Sequence, residues 1–118
     1  MHEAAIAGNI VESAARVADE HGGLPISRIV VELGVLQHIV PEALNFAFEA
    51  AVHGTPHVGA ELVWREVPAR IACDVCGMEY EPEDVFWLCP ECGAVGGTVL
   101  QGEELVLRSV ELDEGTEG

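Results

Sequence analysis

Lysine is absent from this 118-residue chain, whose only bases are five arginines set against 21 acids, a formal net charge of −16. So lopsided a balance repels phosphate backbones and anionic lipid, which argues against nucleic acid and membrane surfaces as partners. No uninterrupted apolar run approaches the roughly 18 residues of a membrane span. The opening Met1-His2-Glu3 lacks the positive region of a secretory signal, the first base being Arg16. A soluble cytoplasmic protein is expected. No nucleophile–base signature of a hydrolase appears, which makes that class the least expected. What is present is 49% apolar residues in a chain of one-domain length, enough to bury about two-thirds of the unfolded surface. The excess acid is spread along the chain, a pattern that mainly reports solvation.

Cysteine is scarce but placed. Cys73 and Cys76, then Cys89 and Cys92, form two C-x-x-C pairs with twelve residues between them. In a reducing cytosol this spacing reads as a metal site rather than as disulfides or redox thiols. Each pair is followed by glycine, Gly77 or Gly93. That is the sequence of a metal knuckle, in which backbone amides turn toward sulfur and glycine takes a left-handed conformation. Four thiolates complete a tetrahedron around Zn(II) and leave no open position, so the ion is structural. Iron in the same cage, as in a rubredoxin-like electron carrier, is the rival occupant and would be red.

Hydrophobic periodicity predicts a helix over 4–21, with Ile6, Ile10, Ala14, Val17 and Ala18 on one face and Gly22-Gly23 as its stop. Residues 27–34 alternate, with Ile29, Val31 and Leu33 on one face, and predict a strand. Pro41 and Glu42 suit the first turn of a second helix, with Leu44, Ala47, Phe48 and Ala51 as its buried stripe. Residues 60–67 predict a second strand and 104–112 a third. Between these last two lie both knuckles and short strand-like pieces at 79–80 and 85–88. The expected fold is α+β, a small three-stranded mixed sheet with two helices plus an inserted zinc-ribbon-like module. The expected division is 1–68 with 101–118 as one domain and 69–100 as the insert, which needs its metal to fold. Trp64, Phe46, Phe48 and Leu62 are core candidates, and Trp87 a candidate contact for a partner.

A second donor set stands at the amino end. The α-amine of Met1, the backbone nitrogen and imidazole of His2 and the backbone nitrogen of Glu3 lie within two residues. Together they make a planar, nitrogen-rich site of the kind Ni(II) and Cu(II) prefer. The Glu3 carboxylate could add an oxygen or hydrogen-bond the imidazole, or simply suit a helix start.

These features occur in a particular company: Met1-His2-Glu3 running into a helix, Val30-Val31-Glu32-Leu33-Gly34-Val35-Leu36, Val40-Pro41-Glu42-Ala43-Leu44, Phe46-Ala47-Phe48, Gly54-Thr55 and the four-cysteine insert. In these stretches the sequence resembles the HypA/HybF family of hydrogenase maturation factors, which are nickel metallochaperones. The resemblance implies Ni(II) bound as cargo at Met1, His2 and Glu3, and a structural Zn(II) held by Cys73, Cys76, Cys89 and Cys92. It also implies work with a HypB-type GTPase to load the large subunit of NiFe hydrogenase and, in some organisms, with urease maturation proteins. The insert here contains no histidine, and none follows His57, so a fourth donor that is an imidazole cannot come from the insert. His38, beside Gln37, is a candidate only if its turn approaches the amino end; otherwise it is an exposed turn residue. His21 suits the end of the first helix, and His53 and His57 read as solvated loop residues. The alternative functions are a zinc-ribbon module binding protein or nucleic acid, and the iron-bearing electron carrier.

Overall fold

The computed structural model describes residues 3–83 and 86–113. Helix α1, Glu3–Glu20, buries Ile6, Ala7, Ile10, Ala14 and Ala18, the three- and four-residue steps of one helical face. It stops where the glycines allow: Gly22 and Gly23 take φ of 98° and 74°, and the Gly23 N–H donates to Ala18 O at 2.8 Å. The His21 imidazole caps the same end, donating to Val17 O at 2.8 Å.

Strand β1, Ile26–Gly34, buries Ile26, Ile29, Val31 and Leu33. A single 3₁₀ turn, Val35–Gln37, follows and ends at His38 in the left-handed region, φ 54°. Helix α2, Pro41–Val52, packs on α1 and buries Leu44, Phe48 and Val52. Its first turn has no cap from its own segment. Instead the Glu3 carboxylate of α1 accepts the Val40 N–H at 2.9 Å, giving that amide a charged acceptor.

Strands β2, Glu61–Val67, and β6, Leu105–Leu112, flank β1 in a three-stranded sheet of order β2-β1-β6. Asp113 N–H to Pro25 O, Gly34 N–H to Glu104 O and Leu36 N–H to Gly102 O, each 2.8 Å, place β6 antiparallel to β1. The two helices and three long strands therefore match expectation. A second sheet, unforeseen in full, joins β3 (Arg70–Ala72) to β4 (Glu79–Tyr80) and β5 (Thr98–Gln101), in the order β4-β3-β5 and antiparallel throughout.

By contact density the chain divides into two units, one of 1–32, 39–65 and 106–118, the other of 33–38 and 66–105. The first holds both helices and most of the aliphatic core. The second has a small core of Ile71, Tyr80 and the sulfurs of Cys73 and Cys89, against which Met78, Trp87, Ala94 and Val99 pack.

Three expectations fail. Phe46 is 75% exposed because it lies two positions from both Leu44 and Phe48, on the far side of α2. Trp64 and Leu62 are only half-buried. Of the strand-like piece at 85–88, residues 86–88 form no strand: Trp87 sits at φ 53° and Leu88 makes one isolated bridge to Val95.

Candidate metal centre

Two copies of one backbone turn build the centre. In the first, the Gly77 N–H donates to Cys73 O at 2.9 Å and the Cys73 N–H to Met78 O at 2.8 Å; in the second, Gly93 donates to Cys89 O and Cys89 to Ala94 O, each at 2.9 Å. Gly77 and Gly93 take φ of 80° and 76°, the left-handed residue that lets each turn double back. Thr98 Oγ1 donates to Asp74 Oδ1 at 2.8 Å, tying the first knuckle to β5.

The turns bring all four sulfurs within 4.8 Å of one another. Cys73 Sγ lies 3.6 Å from Cys92 Sγ, and Cys76 Sγ 3.6 Å from Cys89 Sγ. A disulfide requires about 2.05 Å, so neither pair is bonded. Sulfurs held about 2.3 Å from a tetrahedral zinc stand roughly 3.8 Å apart, and the observed spacing fits that polyhedron. Cys73 and Cys89 are buried while Cys76 and Cys92 face solvent.

The four thiols are not equivalent. The Cys76 and Val75 amides point at Cys73 Sγ from 3.5 and 3.4 Å and hold its pKa down at about 6. The Cys92 amide, with that of Glu91, likewise lowers Cys89. At Cys76 the Met78 amide pulls down, but the thiol contact with Cys89 together with burial wins, and the pKa is pushed up to about 12. At Cys92 the Ala94 amide is outweighed in the same way by Cys73 and burial. Each 3.6 Å pair thus joins a sulfur whose pKa is lowered to one whose pKa is raised. These amide donors were not foreseen as individual residues, although the repeated C-x-x-C-G carries the signal for them.

Tyr80 closes the floor of the centre. Its hydroxyl donates to Trp87 O at 2.6 Å, and burial together with the cysteines raises its pKa.

Of the amino-terminal set, Met1 and His2 lie outside the described residues. Glu3 is the first residue of α1, and the acceptance of the Val40 N–H lowers its pKa. His38 is exposed and lines a cavity of the second unit. His53 is exposed as expected. His57 is not a solvated bystander: half-buried, its Nδ1 accepts the Ile26 N–H at 3.1 Å. Among the described residues, no other group of three or more histidine, cysteine or acidic side chains converges as the sulfurs do.

Comparison with known proteins extends this picture. Residues 1–112 match the family described as "Hydrogenase/urease nickel incorporation, metallochaperone, hypA". The chain is 40% identical over 112 residues to hydrogenase maturation factor HypA of Chloroflexus aggregans, covering 94% of this chain and 98% of that one. It is also 40% identical over 113 residues to the factor of the same name from Geobacter sulfurreducens, covering 96% and 100%. In fold it is similar to the solution structure of the Ni metallochaperone HypA from Helicobacter pylori. That match has a TM-score of 0.66 at 21% identity, covering 95% of this chain and 97% of that one.

Proposed function

Since the chain belongs to the HypA family of hydrogenase and urease nickel-incorporation metallochaperones, we propose that it carries Ni(II) as cargo at Met1, His2 and Glu3. In this reading it passes the ion, with a HypB-type GTPase, to the large subunit of NiFe hydrogenase in the cytoplasm, and urease maturation proteins are a second recipient class. It is a carrier and not an enzyme. Cys73, Cys76, Cys89 and Cys92 hold Zn(II), which supplies a rigid crosslink and no chemistry. The inserted module is 69–100, within the domain formed by 1–68 and 101–118.

One observation carries this reading. The cage brings four protein thiols within 4.8 Å of one another, so an ion bound by all four would have no position at which a recipient could exchange ligands. A cargo ion needs a different donor set, and the nitrogen-rich amino end is suited to nickel. The Glu3 carboxylate, tied to the Val40 N–H, anchors the start of α1, and Met1 and His2 precede it directly in the sequence. Nickel ligation there requires an unprotonated amine and imidazole, so loading weakens as pH falls. Release proceeds by stepwise replacement of these donors by those of the recipient.

The test is a Ni(II) titration of untagged protein beside His2→Ala and a version extended by one residue at the amino end. Both changes should abolish the square-planar absorption and weaken binding. An extension that leaves affinity and spectrum intact removes the amine from the ligand set.

A further inference from the structure

The second unit contains a cavity of about 420 Å³ that neither metal site uses. Its volume lies within the range of small-ligand clefts, roughly 300–1,000 Å³. Val35, Leu36, Ala69, Pro82 and Trp87 line it on the apolar side, Glu81 and Glu83 bring two carboxylates, and His38 stands at the same wall. Both glutamates are exposed. They also border a second hollow of about 230 Å³ beside Leu88 and Pro90, so the acidic pair stands between two partly apolar depressions.

Trp87 is held where a large side chain is seldom found. Its φ is 53°, a left-handed conformation that persists only when its surroundings enforce it. Here they do: the Trp87 carbonyl accepts both the Tyr80 hydroxyl at 2.6 Å and the Gly96 N–H at 3.0 Å. Opposite, Leu36 is pinned through its N–H to Gly102 O. The walls are therefore preorganised.

Charge selects the occupant. The unit carries nine acids against one base, Arg70, and that arginine already faces Glu79 at 3.4 Å. Such a field draws in cationic groups and repels anionic ones.

We propose that this cavity docks an arginine side chain presented by an extended segment of a partner protein. The aliphatic stem lies against Val35, Leu36 and Pro82, the planar guanidinium stacks on the Trp87 indole, and Glu81 and Glu83 accept its N–H donors. An apolar neighbour in the same segment enters the hollow beside Leu88. This extends the carrier reading without depending on it, since none of Met1, His2 and Glu3 is among the residues that line the cavity.

The probe is the blocked peptide acetyl-Ala-Arg-Ala-Leu-amide, titrated into the full zinc-loaded chain and followed at the Trp87 indole N–H by NMR, with Trp64→Phe to assign the signal. The control peptide carries citrulline, the neutral isostere, in place of arginine. Saturable shifts are expected with arginine and not with citrulline. Glu81→Gln with Glu83→Gln should weaken binding roughly tenfold, as loss of two charge-assisted contacts implies. Glu66→Gln with Glu103→Gln, which removes equal charge elsewhere in the unit, should leave it unchanged. Equal binding of the citrulline peptide, equal loss in both double variants, or no shift at Trp87 overturns the proposal. So does a Trp87 shift that grows with protein concentration alone, which would assign the cavity to a second copy of the chain.

Discussion

Gly34→Ala isolates the tightest backbone approach in the second unit. Gly34 has an ordinary extended conformation, φ −72° and ψ 144°, so alanine meets no conformational objection there; the objection is space. A Cβ would lie 1.9 Å from Gly102 O, 2.1 Å from Gly102 C and 2.5 Å from Glu103 N, all backbone atoms. Relief requires β1 and the segment before β6 to part by more than 1 Å, since real contacts stay beyond 3.0 Å. That movement breaks the Gly34–Glu104 and Leu36–Gly102 hydrogen bonds, about 1 kcal/mol each. Residual overpacking adds roughly 1–3 kcal/mol. The expected loss is about 3–5 kcal/mol, a large part of the ~5–15 kcal/mol that holds a domain folded. Urea unfolding at fixed zinc, followed by far-UV circular dichroism, should show the midpoint falling by roughly 2 M for a slope near 2 kcal/mol/M. Gly8→Ala is the matched control: on α1, with nothing within 4 Å of its Cβ, it should stabilise by about 0.5–1 kcal/mol. A Gly34→Ala midpoint indistinguishable from the parent, or a Gly8→Ala protein equally weakened, refutes the reasoning.

Cys89→Ser removes a buried corner of the cage and should abolish stoichiometric zinc and the cooperative unfolding of the second unit; a full zinc equivalent by elemental analysis would contradict the four-thiolate assignment. Because Cys76 and Cys92 keep their protons in the metal-free cage, zinc uptake near pH 7 should release protons and weaken as pH falls, and binding heats independent of buffer ionisation would count against this. Glu3→Gln should lower Tm by a few degrees through loss of the carboxylate on Val40 N–H. With its folded pKa below the ordinary 4.5, Glu3 stabilises above that pH and loses its effect as pH falls through the lowered value. The variant's pH–stability curve should therefore be flatter in acid, and parallel curves would argue against the contact.

What could be read in advance was local. The steps Ile6, Ile10, Ala14 and Ala18, the alternation Ile29, Val31 and Leu33, and the twin C-x-x-C-G knuckles each follow from spacing along one segment, and each element formed where its pattern lies. The misreadings involve partners distant in the chain. His57 looked like loop because its acceptor role depends on Ile26, 31 residues away. Residues 86–88 looked like strand because they are apolar, yet Trp87 is turned by Tyr80 and Gly96. Strands β3 and β5 are three and four residues long, too short for period-two patterning to declare itself without pairing. Phe46 is different: its phase between Leu44 and Phe48 already pointed it outward, and counting apolar residues obscured that.

The chain's donors are sorted by softness, and this bears on how one small protein could handle two metals. Every thiolate lies between residues 73 and 92, a stretch that contains no imidazole, and every imidazole lies at residue 57 or earlier. Thiolate sites hold zinc strongly, and nickel would also bind them in preference to releasing itself to a recipient. A cage already filled by zinc, with each buried sulfur held by backbone amides, withdraws those thiolates from competition. In the carrier reading proposed above, nickel is then left the nitrogen donors of the amino end, where amine and imidazole can be displaced one at a time. On this argument the zinc centre serves transfer indirectly: stripping zinc should move nickel onto sulfur, with the intense thiolate-to-nickel absorption that such bonds give, and the carrier should then hold its cargo instead of delivering it.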